Sequence, residues 1–391
     1  MSAINGIIDK GRKNTDFGAL REMGRATVLR GIDQSGAYIN GNIGLYCNRS
    51  IGSEDENARQ PYTVTLGGKN YTVMIDGDIK GEADPSAEVV MEYYLSFGQD
   101  CFAHFDGDFA LAICDEYRGE IILAKSRGSS RPLYFSFDKN KLVFSSEIKG
   151  MLHTVGGVSR LDQRKFQEHL FAPVGTYSAS DIYVDIEEVP NGKCLVFSSL
   201  GTRFLPCVSE SGKREEGGER VSLAQSDLKD VRRCLAEALV CFDYPQFDMY
   251  MPSVMNTLHI ESEKQKRAIR IPDGARRYFD RYVKEREDRL GGFFGVRFCG
   301  ITSDIEAFPE NEYKMLDSEL ENILSSCDVR VLESIYGKGI IERVRGERSL
   351  DSRIRMSGML CQTWFLSKTQ SILLCKDGKT RDVYASLLST M

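Results

Sequence analysis

Between residues 1 and 205 the chain is written in short apolar or alternating runs: AYINGNIGLYC, YTVTLGGKNYTVMIDGDI, FALAICDEYRGEIILAK and PLYFSFDKNKLVFSS. Runs this short, alternating with period two and interrupted by GG, YRG or DKN, predict strands joined by tight hairpins. Such a chain is committed to antiparallel sheet, and each sheet must bury its apolar face against another layer. Two stretches can supply that layer. Asp16 to Ala26 (DFGALREMGRA) and Ser86 to Gly98 (SAEVVMEYYLSFG) carry apolar residues at 3–4 spacing behind an Asp or Ser cap, which predicts helices packed on the sheets. The expected class is α+β.

Residues 206–222, which contain SESGKREEGGER, are polar and glycine-containing and read as a linker. Beyond them the periodicity changes. DLKDVRRCLAEALVCF, PDGARRYFDRYVKEREDRL, NEYKMLDSELENILSSC and SRIRMSGMLCQTWFLSKTQ each hold apolar residues at i, i+3, i+4 and i+7. Residues 223–391 therefore read as a second, smaller and mostly α-helical domain, in which βαβ alternation is hard to find.

The 391 residues carry a net charge of −6, which argues against a nucleic-acid or anionic-membrane surface, since either needs a basic face. No apolar run approaches the roughly 20 residues needed to span a bilayer, and no leader pattern opens the chain, so a cytoplasmic protein is expected. The 11 cysteines are scattered and never spaced C-x-x-C, which fits reduced thiols used as small hydrophobes. Four histidines, none in an H-E-x-x-H pattern, give no basis for a catalytic metal. Cys101 and His104 in CFAH are read as core packing, and so is the aromatic stretch around Tyr244, Phe247 and Tyr250.

In order along the chain come MSAINGIID, RGIDQSG, IDGDI, FDGDFALAICDE, KSRGSSRPLYFSF, LVFSSEIKGML and IEEVPNGKCLVF. That series resembles the N-terminal domain of asparagine synthetases, a class II glutamine amidotransferase of the N-terminal-nucleophile (Ntn) hydrolase type. The resemblance implies an αββα sandwich of antiparallel sheets over residues 1–205. It also implies a nucleophile at residue 2 that, once Met1 is removed, uses its own α-amino group as general base. Family members have cysteine there and this chain has Ser2, followed by Ala3 in place of glycine.

A second departure touches the same chemistry. The family's Asn-Gly, whose side-chain amide and backbone N–H stabilise the tetrahedral oxyanion, is matched by Asp76-Gly77. A carboxylate offers acceptors and negative charge where a donor is needed, so it opposes the developing oxyanion. Losing one such donor typically costs about 3 kcal/mol in barrier. The recognition positions are better kept. The resemblance implies that Arg49 clamps an α-carboxylate and that Asp106 holds an α-amino group. In the string KSRGSSRPLY, Ser126 replaces a family acid, a loss read as catalytic or interdomain rather than structural.

The synthetase's ATP loop, Ser-Gly-Gly-x-Asp-Ser, is absent from the sequence, and Gly378-Lys379-Thr380 lacks the first glycine of a P-loop. No ATP–Mg cofactor is expected. These departures lead to a degenerate asparagine synthetase-like protein that has lost both half-reactions and binds an amino acid or acts as a scaffold. Its expected partners are glutamine or a related amino acid, another synthetase or biosynthetic protein, and a second copy in a homodimer. Two alternatives stay open: an Ntn amidohydrolase using Ser2 on another amide, and one subunit of a split asparagine synthetase.

Overall fold

In the computed structural model the described residues are most of 2–207 (excepting 32–33, 50–58, 81–86, 128, 130, 139, 153, 155–161 and 173–178), short pieces of 210–302, and 310–369. They fall into two compact units, residues 1–155 with 185–214, and residues 156–184 with 215–391. The second unit thus takes up a stretch that lies well before the polar linker.

The first unit is built on hairpins. β1 (Ser2–Asp9), α1 (Phe17–Ala26), β2 (Gln34–Asn40), β3 (Ile43–Arg49), β4 (Tyr62–Leu66), β5 (Lys69–Lys80) and α2 (Ala87–Phe97) are followed by β6 (Asp106–Asp115), β7 (Glu120–Lys125), β8 (Tyr134–Phe137), β9 (Lys141–Ser145) and the short α3 (Ile148–Met151). One sheet runs β10-β8-β9-β1-β3-β2 and the other β12-β11-β7-β6-β5-β4, where β10 is Glu187–Glu188, β11 Lys193–Ser198 and β12 Gly201–Pro206. The predicted turns carry the geometry that hairpins need. Gly67 and Gly68 have φ of 58° and 76°, the left-handed pair of a two-residue turn between β4 and β5. Asp138 Oδ1 accepts the N–H groups of Asn140 and Lys141 at 3.0 Å, closing the β8–β9 turn.

Alternation along each strand sets the layers. Ile4 and Ile8 of β1 pack with Met74, Ala110, Ala112, Leu123, Leu195 and Phe197 of the opposite sheet, so the two sheets share one dry core. The other face of the second sheet packs Val73, Ile75, Leu111 and Ile113 against Ala87, Val90, Met91 and Tyr94 of α2. Each large side chain buried there contributes up to roughly 1.5–3 kcal/mol. Against the first sheet lies α1, started by Asp16, whose Oδ1 accepts the Ala19 N–H at 3.0 Å. At Gly24 an added Cβ would stand 2.3 Å from the Tyr46 ring, so only glycine lets α1 approach this closely. The result is the α+β, four-layer αββα sandwich expected.

Cys101 is buried, whereas His104 is exposed: it closes a short 3-10 helix (Gly98–His104) and stacks on Phe97 with ring centroids 4.3 Å apart. Cys47, Cys101, Cys114, Cys194, Cys207, Cys327 and Cys361 are buried and form no disulfide.

In the second unit α4 (Gln163–Phe171) and α5 (Ala179–Ile182) precede α6 (Glu310–Ser325), α7 (Val329–Tyr336), α8 (Ile340–Arg345) and α9 (Leu350–Thr369). The predicted helices at 311–327 and 352–370 are α6 and α9. Those over 227–242 and 272–290 lie outside the described residues except for single positions, of which Val231 and Leu235 are buried. Tyr244 and Phe247 are buried as expected, and Pro245 O accepts from His169 Nε2 at 3.1 Å, which fixes the proton on that nitrogen. Tyr250 lies outside the described residues. Periodicity predicts mostly helix here, yet Glu219–Arg220, at the end of the expected linker, joins Ala268–Pro272 and Arg297–Thr302 (β14 to β16) in a parallel strip. AIRIP and RFCGIT are too brief for their alternation to stand out between longer helical periods.

Candidate functional site

The end of β1 that carries Ser2 is held from three sides. On its flank, register pairs Ser2 with Arg49 of β3. On its other flank β9 stops opposite Asn5, and Ser146 then accepts the Ile4 N–H through Oγ at 3.0 Å while its own N–H donates to Ile4 O at 2.9 Å. From the facing sheet comes Asp76, fully buried, whose Oδ1 accepts the Ser2 main-chain N–H at 2.8 Å. A polar lattice lies behind: Asn5 Nδ2 donates to Thr27 Oγ1 at 3.0 Å, and Ser145 Oγ donates to Asn5 Oδ1 at 2.7 Å.

Arg30 completes the arrangement. It is 1% exposed, its Nε donates to Ser2 O at 3.0 Å, and its Nη2 is ion-paired with Asp76 Oδ2. Asp76 and Arg30 together therefore take both main-chain polar atoms of Ser2. Burial alone would raise the Asp76 pKa. The positive charges of Arg30 and Arg131, with the Ser2 N–H, outweigh it and hold the carboxyl below its ordinary value. Asp76 is consequently ionised at neutral pH and cannot serve as a donor. The Cys47 thiol on β3 responds oppositely: burial pushes it up to about 12, with Arg49 opposing and Asp76 adding to the rise.

Gly77 follows Asp76 with φ 119°, and an added Cβ would sit 2.1 Å from Asp108 O. It pairs with Phe109 of β6. Beyond β7, Ser126 continues the ladder by accepting the Phe109 N–H through Oγ and donating its own N–H to Phe109 O, each at 3.1 Å. Ser129 Oγ lies 3.0 Å from both Phe109 O and Asp108 Oδ1, either of which can accept its one O–H, and Arg131 Nε lies 3.6 Å from Asp108 Oδ2. Ser126, which stands where the family has an acid, thus holds the β6 backbone opposite Gly77.

The sequence-named residues thus separate. Ser2, Arg49, Asp76 and Gly77 meet at one end of the two sheets. Asp106 is the first residue of β6, paired with Lys80, and lies four positions along the strand from Ala110, the partner of Asp76. That is about 13 Å at the usual strand rise. Asp106 Oδ1 is buried and receives no hydrogen bond among the described residues. Arg30 and Arg131 were not picked out from sequence. Arg30 stands in the RGIDQSG string, and Gly31 beside it is a usable signal, since a Cβ there would lie 2.3 Å from the Arg49 main-chain N.

Among the described residues no group of side chains is arranged to hold a metal, and no helix is long and apolar enough to cross a membrane.

Several known proteins resemble parts of this chain. It is 26% identical over 188 residues to asparagine synthetase (glutamine-hydrolyzing) 3 of Bacillus subtilis, a stretch covering 44% of this chain and 30% of that protein. It is 28% identical over 138 residues to amidase chry2 of Gibberella zeae, covering 32% of this chain and 21% of that one. Less than a third of each of these relatives is matched. The solved glutamine phosphoribosylpyrophosphate amidotransferase of Bacillus subtilis, complexed with ADP and GMP, aligns at 12% identity over 80% of this chain and 70% of its own, with a TM-score of 0.38. The family model for the glutamine amidotransferase domain matches residues 1–206, more than half of the chain. With two facing antiparallel sheets flanked by helices, and residue 2 on the strand that reaches the site, the chain belongs to the class II glutamine amidotransferase family.

Proposed function

We propose that this asparagine synthetase-like glutamine amidotransferase domain no longer hydrolyses glutamine and serves as an amino-acid-binding or scaffolding module. The observation that carries the reading is the buried Asp76 carboxyl, bonded to the Ser2 N–H and paired with Arg30. An N-terminal nucleophile needs its α-amine unprotonated to accept the hydroxyl proton. Were Met1 removed, the Ser2 nitrogen would be an α-ammonium against a carboxylate, and opposite charge favours that protonated form. The base is withheld, and the same carboxylate opposes an oxyanion.

A free amino acid would find charges of both signs in this unit: Arg49 beside Ser2, and Asp106 with an acceptor oxygen unused among the described residues. The reading requires no ATP. Ammonia release from glutamine tests it in two variants. Ser2→Cys should stay silent and Ser2→Cys with Asp76→Asn should gain activity. Substantial release by Ser2→Cys alone would show that Asp76 does not block the chemistry.

A further inference from the structure

The stretch expected as a linker contains a short strand. After β12, Cys207 donates its N–H to Gly192 O at 2.8 Å, and then β13 (Glu210–Ser211) pairs in parallel with the first two residues of β6, Glu210 with Asp106 and Ser211 with Gly107. The slot exists because β7 stops short: its ladder with β6 ends where Lys125 meets Ala110. Ser126 and Ser129 cover Phe109 beyond that point, and β13 covers residues 106–107. On the opposite side Lys80 and Ile79 of β5 already pair with Asp106 and Gly107.

We propose that residues 210–211 are a ligand-coupled strap, whose docking fixes the strand end bearing Asp106 and is held closed in turn by an amino acid bound there. This rests on the amino-acid-binding reading given above. A strand end paired on one side only is among the first parts of a sheet to open, and pairing on both sides pre-organises the residue it carries. Coupling of this kind is reciprocal: if the docked strap favours the ligand, the ligand favours the docked strap by the same factor.

The test uses the full chain with L-glutamine as probe. Glu210→Pro with Ser211→Pro removes the main-chain N–H groups of both strap residues, and with them whichever one donates into the ladder. Saturating glutamine should slow hydrogen exchange at 106–107 and 210–211 in the wild type. The double-proline variant should exchange faster at 106–107 without ligand and bind glutamine about fivefold or more weakly by calorimetry. Equal exchange at 106–107 in both proteins, or faster exchange with unchanged affinity, overturns the strap and leaves the binding reading standing. Faster exchange in the variant with no glutamine binding by either protein overturns the binding reading, and the coupling with it.

Discussion

Asp76 and Ser2 lie 74 residues apart in the chain and 2.8 Å apart in space, the carboxylate accepting the main-chain N–H of the residue at the nucleophile position. The contact crosses between the two sheets, since Ser2 belongs to β1 and Asp76 to β5. It can form because Asp76 is neutralised by Arg30 at 0% and 1% side-chain exposure, where a lone carboxylate would be prohibitively expensive.

Removing one partner of that pair should destabilise the first unit far more than removing both. Arg30→Met leaves a buried carboxylate uncompensated and is expected to cost about 3–5 kcal/mol. Combined with Asp76→Asn, it should recover much of the loss. Urea unfolding of the two single variants and the double closes the cycle.

Acid should weaken the same contact. The folded-state pKa of Asp76 is depressed, so its contribution to stability is present above the unfolded value of about 3.9 and is lost as pH falls through the folded value. Melting temperatures from about pH 6 downward should fall more steeply below about pH 4 in the wild type than in Asp76→Asn, which cannot titrate there. Parallel curves would show that the Asp76 pKa is not depressed.

Cys47 should resist thiol reagents in the folded chain. It is 0% exposed and its thiol is pushed up to about 12, so thiolate is scarce at pH 8 as well as hidden. Intact-mass labelling with and without urea should find it modified only after unfolding.

Gly358→Ala should test whether the residues around Phe247 are seated on α9. An added Cβ would meet the Phe247 ring at 2.0 Å, and such overpacking costs typically about 1–3 kcal/mol. Adding Phe247→Ala to the same chain should make the alanine at 358 nearly neutral in thermal unfolding.

The sheets were legible because hairpin signals are local: Gly67-Gly68 and the DKN turn show their strands by themselves. Ser2 and Asp76-Gly77 could be named as departures at positions a familiar pattern fixes. What they do to each other could not be read, because a carboxylate's ionisation depends on neighbours such as Arg30 and Arg131, which are remote in sequence. A burial argument applied to Asp76 alone points to a raised pKa, and the pair reverses that sign. The contacts of Ser126 were hidden for a related reason. A serine in place of an acid suggests lost chemistry, while its Oγ to the Phe109 N–H is visible only once β6 and β7 are paired. In the second unit, AIRIP and RFCGIT pair with each other as parallel strands, a relation that periodicity does not report.

The central claim is that the amidotransferase fold is kept while its hydrolytic chemistry is switched off at Ser2 and Asp76. The most direct measurement is ammonia release from glutamine by the purified chain beside Ser2→Ala, with intact mass recorded on both to establish the state of Met1. The account predicts no release above the Ser2→Ala background, even from molecules that have lost Met1. Release by the wild type that disappears in Ser2→Ala would make Ser2 a working nucleophile and contradict the account.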